Sequence, residues 1–230
     1  GDPAASEARF RAQLPAVAER AAGGEPAWRA IHVHLLTQLA RSLGLQGRFD
    51  AAHAVLDDAA ACVAADDAAG HGRLDLERGR ALNTSGRPDT ARPHFGQAFE
   101  RARAAGLDGL AVDAAHMLAI VAPPDEAMAW HTRALALAEA SPDPDARRWR
   151  ASLLNNLGWT LHDRGDDARA LAVFEEALAL REAAGEPTTI GIARWSVARI
   201  LRALGRVDEA LAIQQALLAA HQAAGRVDPY

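Results

Sequence analysis

The 230-residue chain contains no lysine; all 25 of its basic residues are arginine. That absence removes two chemistries at once, because neither a phosphate-loop lysine nor a Schiff-base lysine can exist here. Together with the abundance of alanine it points to the coding bias of a high-GC bacterium. There is one cysteine, Cys62, which excludes an internal disulfide and any cysteine-cluster metal site. On an Ala-rich helix Cys62 is expected to be a small buried residue rather than a reactive thiol. No apolar run approaches the ~18 residues of a membrane span, and no secretory signal is visible. A cytoplasmic location is therefore expected, although the start Gly1-Asp2-Pro3 without Met suggests a trimmed or processed terminus and leaves export open. A formal charge of −5 with no basic tail argues against general affinity for nucleic acid or membranes, whose surfaces are themselves anionic.

Catalytic and metal signatures are also missing. Among the nine histidines there is no HExxH. His32 and His34, two residues apart, would point about 200° apart on a helix and cannot chelate together. Asp113 and His116 stand at i, i+3 and His162 adjoins Asp163, but hydrogen-bonded or solvent-facing histidine is the expectation for each. No nucleophile elbow or convincing Ser/His/Asp arrangement is present. No catalytic residue, metal ligand or cofactor is assigned.

What the chain does contain is a repeated phrase. A Leu/Ala-rich helix runs to a Gly-centred turn, and a second helix then carries Ala, a bulky or polar residue four later, and a small or apolar residue three later. The clearest copy has Leu154, Leu157, Gly158 and Leu161, the turn at Gly165, then Ala170, Phe174 and Ala177. The alanine recurs at Ala52, Ala91, Ala127, Ala170 and Ala210, at spacings of 39, 36, 43 and 40. Gly47, Gly86, Gly165 and Gly205 keep one distance from it, with Ala122-Pro123-Pro124 in the third copy. Small residues Ala40, Gly79, Ala115, Gly158 and Ala198 and leucines Leu43, Leu82, Leu118, Leu161 and Leu201 keep their own registers.

This phrase resembles the tetratricopeptide repeat, a helix-turn-helix unit with small residues where two helices cross. All the spacings exceed its basic 34-residue period, so the additional residues belong in inter-repeat loops. The resemblance covers roughly residues 27–224, and the second copy carries Asp75 and Arg78 where apolar residues are expected. It implies an all-α fold, a right-handed α-solenoid of about five repeats with helices of roughly 12 to 18 residues. Residues 1–26 read as an N-terminal capping helix (Phe10, Leu14 and Val17, interrupted by Pro15 and ended at Gly23-Gly24), and residues 27–230 as one continuous array. Ser141-Pro142-Asp143-Pro144-Asp145 reads as a loop and a possible flexure rather than a domain boundary.

The resemblance also implies where a ligand would lie. In such arrays the first helix of each pair lines the concave face, chiefly through its second, fifth, sixth, ninth and twelfth positions. The ninth positions here are Arg41, Arg80, His116, Trp159 and Arg199. The twelfth add Asn83, His162 and Arg202; the fifth, Thr37, Asn155 and Trp195; the sixth, Gln38, Glu77, Asp113, Asn156 and Ser196; the second, His34, Arg73 and Ser152. An acidic chain thus carries a locally basic groove. Arginine's planar fork suits carboxylates, and asparagine offers donor and acceptor to a peptide backbone. Asn155-Asn156-Leu157-Gly158-Trp159 is similar to the Asn-containing helices of kinesin light chains and bacterial peptide sensors of this type. Trp159 and Trp195 would supply an apolar wall, whereas Trp28, Trp130 and Trp149 read as packing residues. Arg41, Arg80 and the tryptophans also admit a purely structural reading, with the arginines paired to Glu77, Asp113 or Asp163.

The expected function is a non-catalytic protein- or peptide-binding module for an extended, carboxylate-bearing ligand, centred on Asn155, Asn156, Trp159, Trp195, Arg199 and Arg202. His162, Arg41, Arg80 and His116 extend it. The alternatives are a scaffolding or sensor segment of a larger regulatory protein, and an enzyme or accessory subunit holding a small acidic substrate. In the last helix Val207, Leu211 and Leu218 make one apolar stripe, continued by Ala210, Ile213 and Leu217. That arc is wider than one neighbour covers, and with the loop-like segment Gly225 to Tyr230 it suggests a covering segment, a partner, or a homo-oligomer through the C-terminal helix.

Overall fold

A computed structural model describes residues 2–225. Among these residues there are twelve helices and no strand: α1 (Pro3–Ala22), α2 (Pro26–Leu45), α3 (Phe49–Cys62), α4 (Ala68–Thr84), α5 (Pro88–Ala104), α6 (Asp108–Val121), α7 (Pro124–Ala140), α8 (Pro144–Arg147), α9 (Arg150–Asp163), α10 (Asp167–Ala184), α11 (Pro187–Ala203) and α12 (Val207–Ala223). Apart from the four-residue α8 they run from 14 to 20 residues. The fold is all-α, built of helical-hairpin repeats. The chain forms two compact units, one of residues 1–137 and 141–146, the other of residues 138–140 and 147–230.

Four of the hairpin turns are the same object. At Gly47, Gly86, Gly165 and Gly205 the backbone takes φ of 74°, 82°, 78° and 76°, a left-handed conformation in which a β-carbon would crowd the following carbonyl. The residue after each glycine donates its N–H back to the leucine carbonyl that closes the first helix: Arg48 to Leu43 at 3.0 Å, and Arg87 to Leu82, Asp166 to Leu161 and Arg206 to Leu201 at 2.9 Å. This six-to-one bond satisfies a carbonyl the helix end would leave orphaned. The third hairpin turns without glycine, because Ala122 is extended and two prolines follow.

Packing follows the small-to-large register. Ala52, Ala91, Ala127, Ala170 and Ala210 are all buried. Where the first helix offers glycine, the second offers phenylalanine: a β-carbon on Gly79 would sit 2.5 Å from the Phe95 ring, and one on Gly158 would sit 2.7 Å from Phe174. Where the first helix offers Ala40, the second carries the smaller Leu56, and both lie in the core of the first hairpin. Phe95, Phe99 and Phe174 are completely enclosed, each stabilising by roughly 1.5–3 kcal/mol.

Three expectations are corrected. The first helix is not interrupted by Pro15 but runs through it; Pro15 is exposed, so water can serve the carbonyl that loses its N–H partner. Cys62 is half-buried rather than enclosed. Within Ser141–Asp145, a short helix begins at Pro144, and Ser141 Oγ donates to Asp108 Oδ2 at 2.6 Å, so the segment is pinned to the start of α6. Asp75 and Arg78 leave α4 intact because each finds an opposite charge on a neighbour: Arg101 at 3.1 Å and Asp57 at 2.8 Å.

At the other end of the first unit, Phe10 and Leu14 of α1 pack on the core of the first hairpin. Glu7 accepts from Gln46 at 2.9 Å and pairs with Arg48 at 2.8 Å. These hydrogen bonds, Arg11 first, then Gln46 and Arg48, hold its carboxyl down at about 2.

Candidate ligand-binding site

In the first unit the mapped residues meet, but they meet each other. Arg80, on α4, donates to Glu77 and to Asp113 of α6, and Arg41 Nη1 lies 3.6 Å from Glu77 Oε2. Burial disfavours the Arg80 charge, yet the Glu77 and Asp113 carboxylates outweigh it and its pKa is raised. Glu77 is only 5% exposed. This is a buried, nearly balanced charge cluster, and Arg80 is committed to it. His116 is held below the ordinary histidine range by burial, with Arg80 acting in the same direction and Asp113 against it. Behind it His131 is 4% exposed, with Nδ1 lacking an acceptor or donor; burial, then the charge of His116, lowers its pKa to about 4. His34 is likewise lowered, by burial and by Arg73.

The second unit differs. Two rows face each other there, each at i, i+4, i+7 along one side of a helix: Asn155, Trp159 and His162 on α9, and Trp195, Arg199 and Arg202 on α11. Trp159 and Trp195 are 5.8 Å apart between ring centroids, tilted by 43°. Ser196 Oγ, buried, has two acceptors for its one proton, the Ile192 carbonyl at 3.2 Å and Asn155 Oδ1 at 3.5 Å. Asn155 Nδ2 reaches Asn156 Oδ1 at 3.4 Å.

Trp159 is held on two sides, edge-to-face against Phe174 at 5.0 Å and against His162 at 5.8 Å. His162 is itself anchored through Nδ1 to Asp167 of α10 at 2.5 Å. Trp195 is 49% exposed and the neighbouring Ile192 55%. Among the described residues, Arg199 and Arg202 form no ion pair, in contrast to Arg80. The row therefore offers aromatic surface, amide groups and two uncommitted cations side by side.

Not every mapped position reaches solvent. Thr37, Glu77 and Ser196 are buried, Thr37 bonding the His34 carbonyl one turn back at 2.8 Å. Of the tryptophans read as packing residues, Trp130 meets Phe99 at 5.4 Å and Trp28 lies under Arg20 at 4.4 Å. Among the described residues no three His, Cys, Asp or Glu side chains gather where they could hold a metal ion. No helix among them is long and apolar enough to cross a membrane.

One feature of the second unit escapes sequence reasoning. Arg147, Arg148, Arg150 and Arg181 line a cavity of about 680 Å³. Its visible signal is the run Arg147-Arg148-Trp149-Arg150, which lies outside the repeat positions mapped for ligands.

Residues 110–183 match the tetratricopeptide repeat family model. They span the third and fourth hairpins. Solved structures of the same architecture agree. BtubC (BKLC) from P. vanneervenii superposes with a TM-score of 0.79 at 19% identity, over 100% of this chain and 95% of that one. The nearly identical TPR-like repeats of a candidate kinesin light chain from Podosopora anserina give 0.68 at 16% identity, over 86% and 98%. The apo quorum sensor NprR from B. thuringiensis gives 0.70 at 16%, over 94% of this chain and 60% of that one. No curated protein sequence matches the chain. The fold is that of tetratricopeptide-repeat proteins.

Proposed function

We propose that this chain is a non-catalytic binding module, acting in the cytoplasm, that holds an extended, carboxylate-bearing peptide or protein segment across α9 and α11. The observation that carries this reading is the pairing of Trp159 with Trp195 beside two arginines that no acid of the described chain neutralises. Aromatic rings and arginines are the side chains that most often dominate protein recognition. Asn155 and Asn156 would bond the ligand backbone while Arg199 and Arg202 take its carboxylates. Arg41, Arg80 and His116 belong to the proposal only as a charged face of the first unit, since Arg80 is already paired. Residues 27–230 are taken as one repeat array with α1 as its cap.

The reading extends to self-association. On α12, Ala210 is buried and Ile213 and Leu217 are half-buried, but Val207, Leu211 and Leu218 are 49–58% exposed. We take this row as a contact surface for a second copy; the loop-like segment expected at 226–230 lies outside the described residues. Light scattering across concentration, with Leu211→Asp and Leu218→Asp, reads it out.

For the groove, a pool of extended Asp/Glu-rich peptides is the probe. Arg199→Glu, Arg202→Glu and Trp195→Ala should each weaken binding at least tenfold with little change in the unfolding midpoint, because Arg202 and Trp195 are exposed and Arg199 is half-buried, and surface substitutions of this kind usually stay within about 0.5 kcal/mol. Added salt should weaken it too. Undiminished binding in all three variants would remove this site.

A further inference from the structure

Arg80 and Arg199 hold the same ninth position on their helices, yet only Arg80 is neutralised. Both ends of its fork are taken. Nη1 donates to Glu77 Oε1, three residues earlier on α4, and Nη2 donates to Asp113 Oδ1 of α6. Three residues before Arg199, α11 carries Ser196 instead, a neutral residue whose one proton has Asn155 Oδ1 and the Ile192 carbonyl as acceptors. The rule holds across the sixth positions of these helices. In the first unit α4 and α6 have the acids Glu77 and Asp113; in the second unit α9 and α11 have the uncharged Asn156 and Ser196.

A carboxylate set on an arginine fork is the contact assigned above to the ligand. On the first unit Asp113 supplies it from within the chain. The pair is not sealed off, since the Arg80 and Asp113 side chains keep 13% and 17% of their exposure. Arg41, 3.6 Å from Glu77, keeps 40%. Arg73, seven residues before Arg80 and so on the same side of α4, has no ion pair among the described residues. Without the charge of Asp113 this face would hold Arg41, Arg73 and Arg80 against Glu77 alone. With it, an incoming carboxylate finds the Arg80 fork filled and meets a like charge there, a repulsive element of the kind that makes a surface selective.

Resting on the reading proposed for α9 and α11, we infer that Asp113 is a specificity-determining residue: its carboxylate takes the place of a ligand carboxylate on Arg80 and so confines acidic ligands to the second unit.

The test is a gain of binding. The double variant Arg199→Glu, Arg202→Glu, with its own site removed, is the background, and the pool of extended Asp/Glu-rich peptides is the probe, titrated calorimetrically at low salt. Asp113→Asn keeps an acceptor oxygen and leaves Arg80 paired with Glu77 while removing the charge. Added to the background, it should tighten binding of the acidic pool at least fivefold with an unchanged helical signal, and should do nothing for a matched basic pool. Glu77→Gln frees the other end of the same fork and should give a similar gain; it decides the matter if Asp113→Asn does not fold. Adding Arg80→Gln to Asp113→Asn, which together remove one charge of each sign, should abolish the gain. No gain in either variant, or a gain that survives Arg80→Gln, would overturn the inference. The parent protein separates this from the reading beneath it. Acidic-pool binding by the parent with no gain in either variant removes the role of Asp113 alone, whereas no binding by the parent removes the α9/α11 site and the confinement with it.

Discussion

Gly158→Ala is the sharpest perturbation of the packing rule, because two opposing effects meet at one atom. Alanine is favoured over glycine inside a helix by about 1 kcal/mol, so the substitution would ordinarily stabilise α9. Here the new β-carbon would lie 2.7–2.8 Å from three atoms of the Phe174 ring. The ring is 1% exposed and wedged against Trp159 at 5.0 Å, so it has nowhere to retreat. Overpacking of this kind costs about 1–3 kcal/mol. With three atoms in conflict the upper end applies, giving a net loss of about 2 kcal/mol. Phe174→Leu removes the offending end of the ring and reproduces the Ala40/Leu56 pair of the first hairpin. In that background Gly158→Ala should stabilise by about 1 kcal/mol, its helix propensity alone. The coupling between the two positions is then about 3 kcal/mol, at the top of the range for residues in contact. Urea denaturation followed by circular dichroism on the four proteins measures it. A drop in melting temperature of roughly 4–8 °C is expected for the single glycine variant in a chain of this size. If Gly158→Ala raises stability in the parent, or shifts it equally in both backgrounds, the small-to-large rule is wrong.

Two further outcomes follow from the first unit. Arg80→Met should be among the most damaging single changes, costing about 3–5 kcal/mol, because it strands the Glu77 and Asp113 carboxylates together; a loss under 1 kcal/mol in urea unfolding would show that the cluster is not a unit. His131 gives the pH dependence. Its folded pKa of about 4 lies below the ordinary value near 6.5, so between those limits the unfolded chain binds the extra proton. The contribution of His131 to stability should therefore fall as pH drops through this window, by about 1.4 kcal/mol per unit and about 3 kcal/mol in all, with the depressed His116 and His34 acting in the same direction. His131→Leu, which removes an unpartnered buried nitrogen, should reduce that slope and cost little at pH 7. An unchanged slope would locate the titration elsewhere.

The repeat architecture was legible because its determinants are local and recur in one register. A glycine four residues after a buried leucine fixes a turn through one backbone bond from the residue that follows it, and a glycine or alanine in the first helix fixes which side chain the second can carry. That Trp159 and Trp195 share one face was legible for the same reason, since both positions follow from register; that their rings touch was not. For Arg80 the sequence offered both outcomes without choosing: the register places it on the ligand face, and Glu77 and Asp113, mapped there too, are the partners it takes. The arginine cavity was not legible: Arg181 is 31 residues from Arg150, outside the mapped positions, and only the fold of α9 and α10 joins them. Pro15 misled by its usual rule, which assumes that the freed carbonyl has no water to turn to.

The central claim is that Arg199 and Arg202 read the charge of a ligand lying across α9 and α11, and charge exchange tests it most directly. Acidic and basic pools of otherwise matched extended peptides would be titrated against the parent protein and against the double variant Arg199→Glu, Arg202→Glu. The account predicts that the parent prefers the acidic pool and that the double variant, with an unchanged unfolding midpoint, prefers the basic one. The same preference in both proteins would contradict it.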